Sequence, residues 1–252
     1  MPYFITRPMA IRFEGLGAEM ARRCASEYLE VGGGIGAFAG AGSPLTHAAG
    51  LGMSGPVDEA ELERLEAWYR ERGSATAIEV CPLADPSFLC ALGRRGYLIE
   101  EASNLLVRRT YSGEEISPPA VEVCETGNAG EWSEVLARGF FEHEPLPGEL
   151  EIGLRLFRAE GVRAFVARVD GQPAGGGAIA IVDGIACLCA DATLPAFRDR
   201  GAQLSLIRAR LAEAVRCGCE FAIAETTPAT MSHRNYQRCG FEVAWTKLTF
   251  VR

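Results

Sequence analysis

Two Asp-Gly pairs decide most of what the second half of this chain can become. Asp170-Gly171 and Asp183-Gly184 divide VRAFVARVDGQPAGGGAIAIVDGIACLCADATL into three β-rich runs, 163–169, 173–182 and 185–193. Asp-Gly supplies the positive φ that a two-residue hairpin turn requires. The runs therefore read as a three-strand antiparallel meander. It feeds directly into LPAFRDRGAQLSLIRARL, where Leu204, Ile207, Leu211, Ala214 and Val215 share one helical face and Gly218 supplies a left-handed stop. EFAIAETT then reads as a short buried strand, SHRNYQRCGF as a short helix closed by Gly240, and EVAWTKLTFV as a last strand. Upstream, AVEVCET reads as a strand and EWSEVLARGFF as a helix.

The first half repeats part of this order. DEAELERLEAWYRERG reads as a helix ending at Gly73, ATAIEVCPL as a strand, PSFLCALGRRGY as a short helix and LIEEASNLLVRR as a strand. Gly73 and Gly96 are 23 residues apart, and Gly218 and Gly240 are 22 apart. Arg108 lies 12 residues after Gly96, as Arg252 does after Gly240. Matching order at near-equal spacing points to a duplicated domain. The polar, Pro-rich stretch TYSGEEISPPA reads as the linker, giving domains 1–109 and 121–252 about a linker 110–120.

GGGIGAFAGAGSP matches a dinucleotide fingerprint loosely at Gly32, Gly34 and Ala37. That fingerprint needs a strand before it and a helix after it. Here the helical pattern AEMARRCASEYLEV precedes it and FAGAGSP follows, so the stretch reads as glycine-rich strand and turn.

Composition removes several function classes. A net charge of −8 disfavours nucleic acid as the main partner. No apolar run approaches the roughly 18 residues of a membrane span. The start MPYFITRPMAIRFEGL has no charged region followed by an apolar block, so no leader is expected. Nine cysteines scattered among apolar neighbours suit a reducing, cytoplasmic setting. The pairs Cys187/Cys189 and Cys217/Cys219 lack the C-x₂₋₄-C spacing of structural zinc, and no metal is expected.

The junction between meander and helix carries the clearest chemical signal. A turn that feeds a helix offers free backbone N–H groups, and the helix dipole adds partial positive charge. Gly201 lets an anion approach the backbone, and Arg198 and Arg200 add full charges. A phosphate or pyrophosphate would be held there; a solvated turn with two surface arginines is the alternative.

The whole order, from meander through Arg198-Asp199-Arg200-Gly201-Ala202-Gln203 to the short helix with Tyr236 and Gly240-Phe241, resembles the GCN5-related N-acetyltransferase (GNAT) superfamily. Its signature is [Q/R]-x-x-G-x-[G/A]. The first four positions fit, and Gln203 replaces the final small residue. The resemblance covers 121–252, with the first half as a degenerate copy. It implies an α/β (α+β) fold of tandem domains, each a mixed, mostly antiparallel twisted sheet flanked by helices.

The resemblance also implies acetyl-CoA as cofactor. Backbone amides of the loop Arg198, Arg200, Gly201, Ala202 and Gln203 would hold its pyrophosphate. The strand end Ala192, Thr193 and Leu194 would pair with the pantetheine arm and supply the oxyanion donor. Tyr236, four residues before Gly240, stands in the register of a general acid to the CoA thiolate. The matching residue of the first half is Leu92, which cannot donate a proton, and its matching helix start, GPVDEAELERL, is acidic.

Ser232 and Asn235 either bond the pantetheine amides or cap the short helix. A base is expected at Glu142, in the loop that also carries His143 and Glu144, or at Glu225; a water chain is the alternative. His47 and His233 read as ordinary polar residues. The expected activity is acetyl transfer to a primary amine, on a small molecule rather than a protein. A CoA-binding sensor or structural protein without transfer activity is the alternative. The last strand could pair with the first domain or with another subunit in a homodimer.

Overall fold

The computed structural model describes residues 5–252. The first four residues, part of the stretch read for a leader, lie outside the described residues. The chain forms two compact units. One runs to Asn104 and includes Ala244–Arg252; the other is Leu105–Val243. The reading from sequence kept 121–252 together, whereas compactness groups the last nine residues with the first unit.

The first unit opens with α1 (Arg7–Cys24), capped by the Thr6 hydroxyl, and continues through the antiparallel pair β1 (Glu27–Val31) and β2 (Gly34–Phe38). The helical pattern expected to reach Val31 stops at Cys24. The residues after it pair instead with β2, through a turn in which Gly32 and Gly33 have φ of 59° and 76°. A Cβ at Gly34 would lie 2.3 Å from the Ala49 carbonyl oxygen, so only glycine fits there. Next come β3 (Ala48–Ala49), α2 (Glu59–Glu71), β4 (Ala77–Val80), α3 (Pro86–Arg94) and β5 (Leu98–Arg109).

The second unit receives the end of β5 and continues with β6 (Glu122–Glu125), α4 (Ala129–Phe141) and α5 (Pro147–Arg158). α5 was not legible: the sequence reading ended at a loop after Phe141. The expected meander is present as β7 (Val162–Val169), β8 (Gln172–Val182) and β9 (Ile185–Thr193). A 3₁₀ turn over Pro195–Phe197 leads to α6 (Ala202–Arg216), β10 (Phe221–Thr226), α7 (Met231–Arg238) and β11 (Glu242–Val251). Within this unit the strands lie in the order β5-β10-β9-β8-β7-β6, with β9 and β10 parallel.

Two apolar clusters hold the second unit. One joins Ile179, Leu188, Leu206, Ile207, Leu211 and Tyr236; the other joins Trp132, Leu136, Ala164, Val166, Ala178 and Ala192. Segment 110–120 is tied to this unit near both ends. Thr110 N–H donates to Glu220 O at 3.0 Å, and the Ser205 hydroxyl accepts from Ala120 N–H at 3.0 Å.

From Ala244 onward β11 belongs to the first unit, where it pairs antiparallel with β4. Its Lys247 ammonium is 3.4 Å from the carboxylates of both Glu14 and Glu79. The Trp245 indole donates to Glu14 at 3.0 Å. Of the two pairings left open for this strand, the structure shows the one with the first half. The helix–strand–helix–strand order recurs as α2-β4-α3-β5 and α6-β10-α7-β11.

Candidate active site

The site is built from an interruption of the ladder. Gly176 pairs with Ala192, but Ala178 pairs with Cys189, so Ala190 and Asp191 together stand opposite Gly177. Ala190 has φ of 58°. This is a β-bulge, and such bulges re-aim side chains. Here it coincides with the end of the β9–β10 pairing, whose last pair is Ala224 with Leu188. Beyond that pair the two strands are no longer joined by the ladder.

Register decides what β9 offers beyond that pair. Leu194 N–H donates to Ala174 O at 2.9 Å, and Thr193 faces Gly175. Backbone groups alternate along an antiparallel strand. Thr193 N–H and C=O therefore point away from β8, toward the side on which β10 no longer pairs. Ala192 is buried and Leu194 caps the 3₁₀ turn. Gly139 of α4 closes over this strand end, since a Cβ there would sit 2.8 Å from the Ala192 Cβ.

At the α6 start, Asp199 and Gly201 both take left-handed conformations, with φ of 60° and 82°. No side chain caps the helix. Its first amides thus form a concave set of donors suited to an anion. The equivalent helix α2 differs. Asp58 accepts from Glu61 N–H at 2.7 Å, and Glu61 accepts from Gly32 N–H at 2.8 Å. The first unit's own carboxylates fill the position that α6 leaves open.

Arg198 bonds Glu142 at 2.6 Å and Arg200 bonds Asp170 at 2.7 Å, both at the surface. Exposed pairs of this kind contribute about 0–1 kcal/mol, so a phosphate can displace them. Gln203, the departure from the signature, has a structural task. Its amide donates to the Ser232 hydroxyl and accepts from Asn235, each at 2.8 Å. It thereby ties the start of α6 to α7. Ser232 and Asn235 do not cap α7, because Thr230 does, accepting from His233 N–H at 3.3 Å.

Tyr236 is 1% exposed and stands edge-on to Phe241. Its hydroxyl donates to Asp191 Oδ2 at 2.5 Å. Asp191 is also gripped by both terminal nitrogens of Arg210, whose side chain is wholly buried. Burial, and then the Asp191 charge, push the Tyr236 phenol well above its usual range. Asp191 and Arg210 were missed from sequence. The available signal was a charged residue on the apolar face of α6, between Ile207 and Ala214, opposite three consecutive glycines.

Glu142 ends α4 with φ of 58° and faces Arg198. Glu225 is the exposed residue of an otherwise buried β10, just past the last pair with β9. His233 is buried and its Nδ1 lies 3.3 Å from the Thr226 hydroxyl, while His47 faces Glu79 at 3.7 Å. Leu92, the counterpart of Tyr236, is fully buried in α3.

Residues 130–241, which carry the bulge, the uncapped helix and Tyr236, match the family model of the acetyltransferase (GNAT) family. They form a GNAT acetyltransferase domain. Among solved structures, a GCN5-related N-acetyltransferase from Kribbella flavida superposes with a TM-score of 0.71 at 20% identity, over 96% of this chain and 95% of that one. A tandem GNAT protein from the clavulanic acid biosynthesis pathway gives 0.63 at 13% identity, over 98% and 94%. A GCN5-related N-acetyltransferase from Sphaerobacter thermophilus gives 0.59 at 14% identity, over 77% and 66%. These likenesses show the fold, which is that of a tandem GNAT protein. No curated protein matches the sequence. No helix among the described residues is long and apolar enough to cross a membrane.

Proposed function

We propose that the second unit transfers an acetyl group from acetyl-CoA to a primary amine of a small molecule. The observation that carries this reading is the difference between the two equivalent helix starts. α6 has no side-chain cap, while α2 is closed by Asp58 and Glu61. A helix start left open, beside two cations on displaceable partners, suits the pyrophosphate.

The residues fit the rest of the cofactor. Thr193, whose backbone groups turn away from β8, would pair with a pantetheine amide as an added strand does. The Thr193 N–H, turned away from β8, serves the oxyanion as charge builds on the thioester oxygen, which leaves its C=O for the pantetheine amide. Gln203, Ser232 and Asn235 form a polar ledge beside the helix start, where they can bond the amides of the arm. Bound acetyl-CoA supplies an activated acyl group on a thiolate that must leave.

Tyr236 serves as the acid for that thiolate, turning its O–H from Asp191 to the departing sulfur. Glu142 and Glu225 are the two carboxylates offered for the amine proton. Glu142 becomes available once the pyrophosphate draws Arg198 away. A CoA-binding protein without transfer activity is the second reading, favoured by the engagement of the Tyr236 hydroxyl with Asp191.

Thiol release from acetyl-CoA across a panel of primary amines separates the two. Amine-dependent release, lowered at least tenfold in Tyr236→Phe, is the expected result, since general acid catalysis contributes about 10²–10⁴-fold. Saturable acetyl-CoA binding with no release to any amine would favour the second reading.

A further inference from the structure

The carboxylate that holds the Tyr236 proton is itself held by a buried arginine that no cofactor contact requires. Arg210 lies in the middle of α6, with its side chain wholly buried. Such a cation is costly to bury unless every donor is used. Here each of the three guanidinium nitrogens has a partner. Nε donates to Leu206 O at 3.0 Å, and Nη1 donates to Ala178 O at 2.9 Å and Cys189 O at 3.1 Å. Those last two carbonyls belong to the pair that borders the bulge. The remaining contacts go to Asp191, so one side chain both seals the interrupted ladder and fixes the carboxylate.

We propose that Asp191 and Arg210 are positioning residues for Tyr236, locking the buried phenol with its proton in place between turnovers. The proposal rests on the acetyl-transfer reading for the proton's destination, but not for the hold on the phenol. In the transfer step the amine nitrogen forms its bond to the acetyl carbon, and the carbon–sulfur bond breaks. The Tyr236 proton goes to the sulfur, the amine's proton goes to base or water, and the phenoxide takes a proton back from solvent. While the O–H is turned away, Asp191 keeps both Arg210 contacts, so no buried carboxylate is left unpaired. Afterwards a phenoxide beside that carboxylate is strongly disfavoured, which drives reprotonation. The charged and titratable groups that face the phenol are Asp191 and Cys189 from β9 and Arg210 from α6. Asp191 and Cys189 raise its pKa and Arg210 lowers it, after burial, which raises it most.

The test uses the full chain with ¹³Cζ-labelled tyrosine, titrated by NMR, the Tyr236 signal being assigned by its loss in Tyr236→Phe. In the unaltered protein, Tyr236 should stay protonated well above the ordinary tyrosine midpoint near 10. A midpoint at the ordinary value would overturn the hold. In Asp191→Asn the midpoint should fall; an unchanged midpoint would overturn the role of Asp191. Kinetically, Asp191→Asn should lower kcat by about tenfold to a hundredfold with KM for acetyl-CoA little changed. The double variant with Tyr236→Phe should be no slower than Tyr236→Phe alone. Additive losses would mean that Asp191 does not act through Tyr236. The titration needs no turnover, so a failure of the acetyl-transfer reading leaves it decisive.

Discussion

A Cβ on residue 177 would lie 2.8 Å from Cζ of Arg210. The absence of a side chain at Gly177 is thus what admits a guanidinium beneath the bulge, and the three glycines of AGGGA are not a flexible tract. Gly175 meets the Ala192 carbonyl oxygen and Gly176 meets Leu136, at 2.7 and 3.0 Å from a built Cβ. All three lie in one buried strand.

Gly177→Ala should therefore destabilise the second unit by about 1–3 kcal/mol, the range for forcing an extra methyl into a packed interior. Urea denaturation measures it. A change below about 0.5 kcal/mol, the level of a surface substitution, would mean the arginine can move aside.

Gln203 joins α6 to α7 through two side-chain hydrogen bonds. Gln203→Ala should cost about 1–2 kcal/mol at roughly 1 kcal/mol per bond. It should also speed amide exchange in α7 more than in the meander. Exchange in α7 equal in the parent and in Gln203→Ala would assign Gln203 no tie between these helices.

The meander, the helix that follows it and the repeated helix–strand–helix–strand order were legible because each is written locally. Asp-Gly fixes a turn, spacing fixes a helix face, and glycine fixes a stop. The bulge was not legible, because nothing in CLCADAT marks where the register slips; that depends on Arg210, nineteen residues on. β1 was misread for a related reason. Its residues continue a helical pattern, and only pairing across the Gly32-Gly33 turn makes them a strand. The glycine turn before α6 was legible, but the carboxylates paired with Arg198 and Arg200 were not, since both come from other elements.

Lys247 is 2% exposed between Glu14 and Glu79. Removing one partner of a buried ion pair strands the other charge, at about 3–5 kcal/mol. Lys247→Met should lower the stability of the first unit on that scale. Loss of both charges in Lys247→Met with Glu14→Gln should recover part of it. A single variant as stable as the parent would remove the cluster from the account of how β11 is held.

The Arg216 hydrogen bond, with help from Arg163, brings the Glu213 carboxyl down to about 2 from an ordinary 4.5. A depressed carboxyl stabilises the fold above its unfolded value and loses that contribution as pH falls through its folded value. The urea midpoint of the parent should exceed that of Glu213→Gln at neutral pH. The gap should shrink from about pH 4.5 and close near pH 2. A gap independent of pH would contradict the assignment.

The proposal that α6, and not its equivalent α2, receives the cofactor is tested directly by a calorimetric titration with acetyl-CoA. The account predicts saturable binding at one site per chain, weakened when Arg198 and Arg200 are both replaced by alanine, by a few kcal/mol at most. Two sites would contradict the closure of α2 by Asp58 and Glu61. No binding at millimolar acetyl-CoA would contradict the cofactor assignment itself.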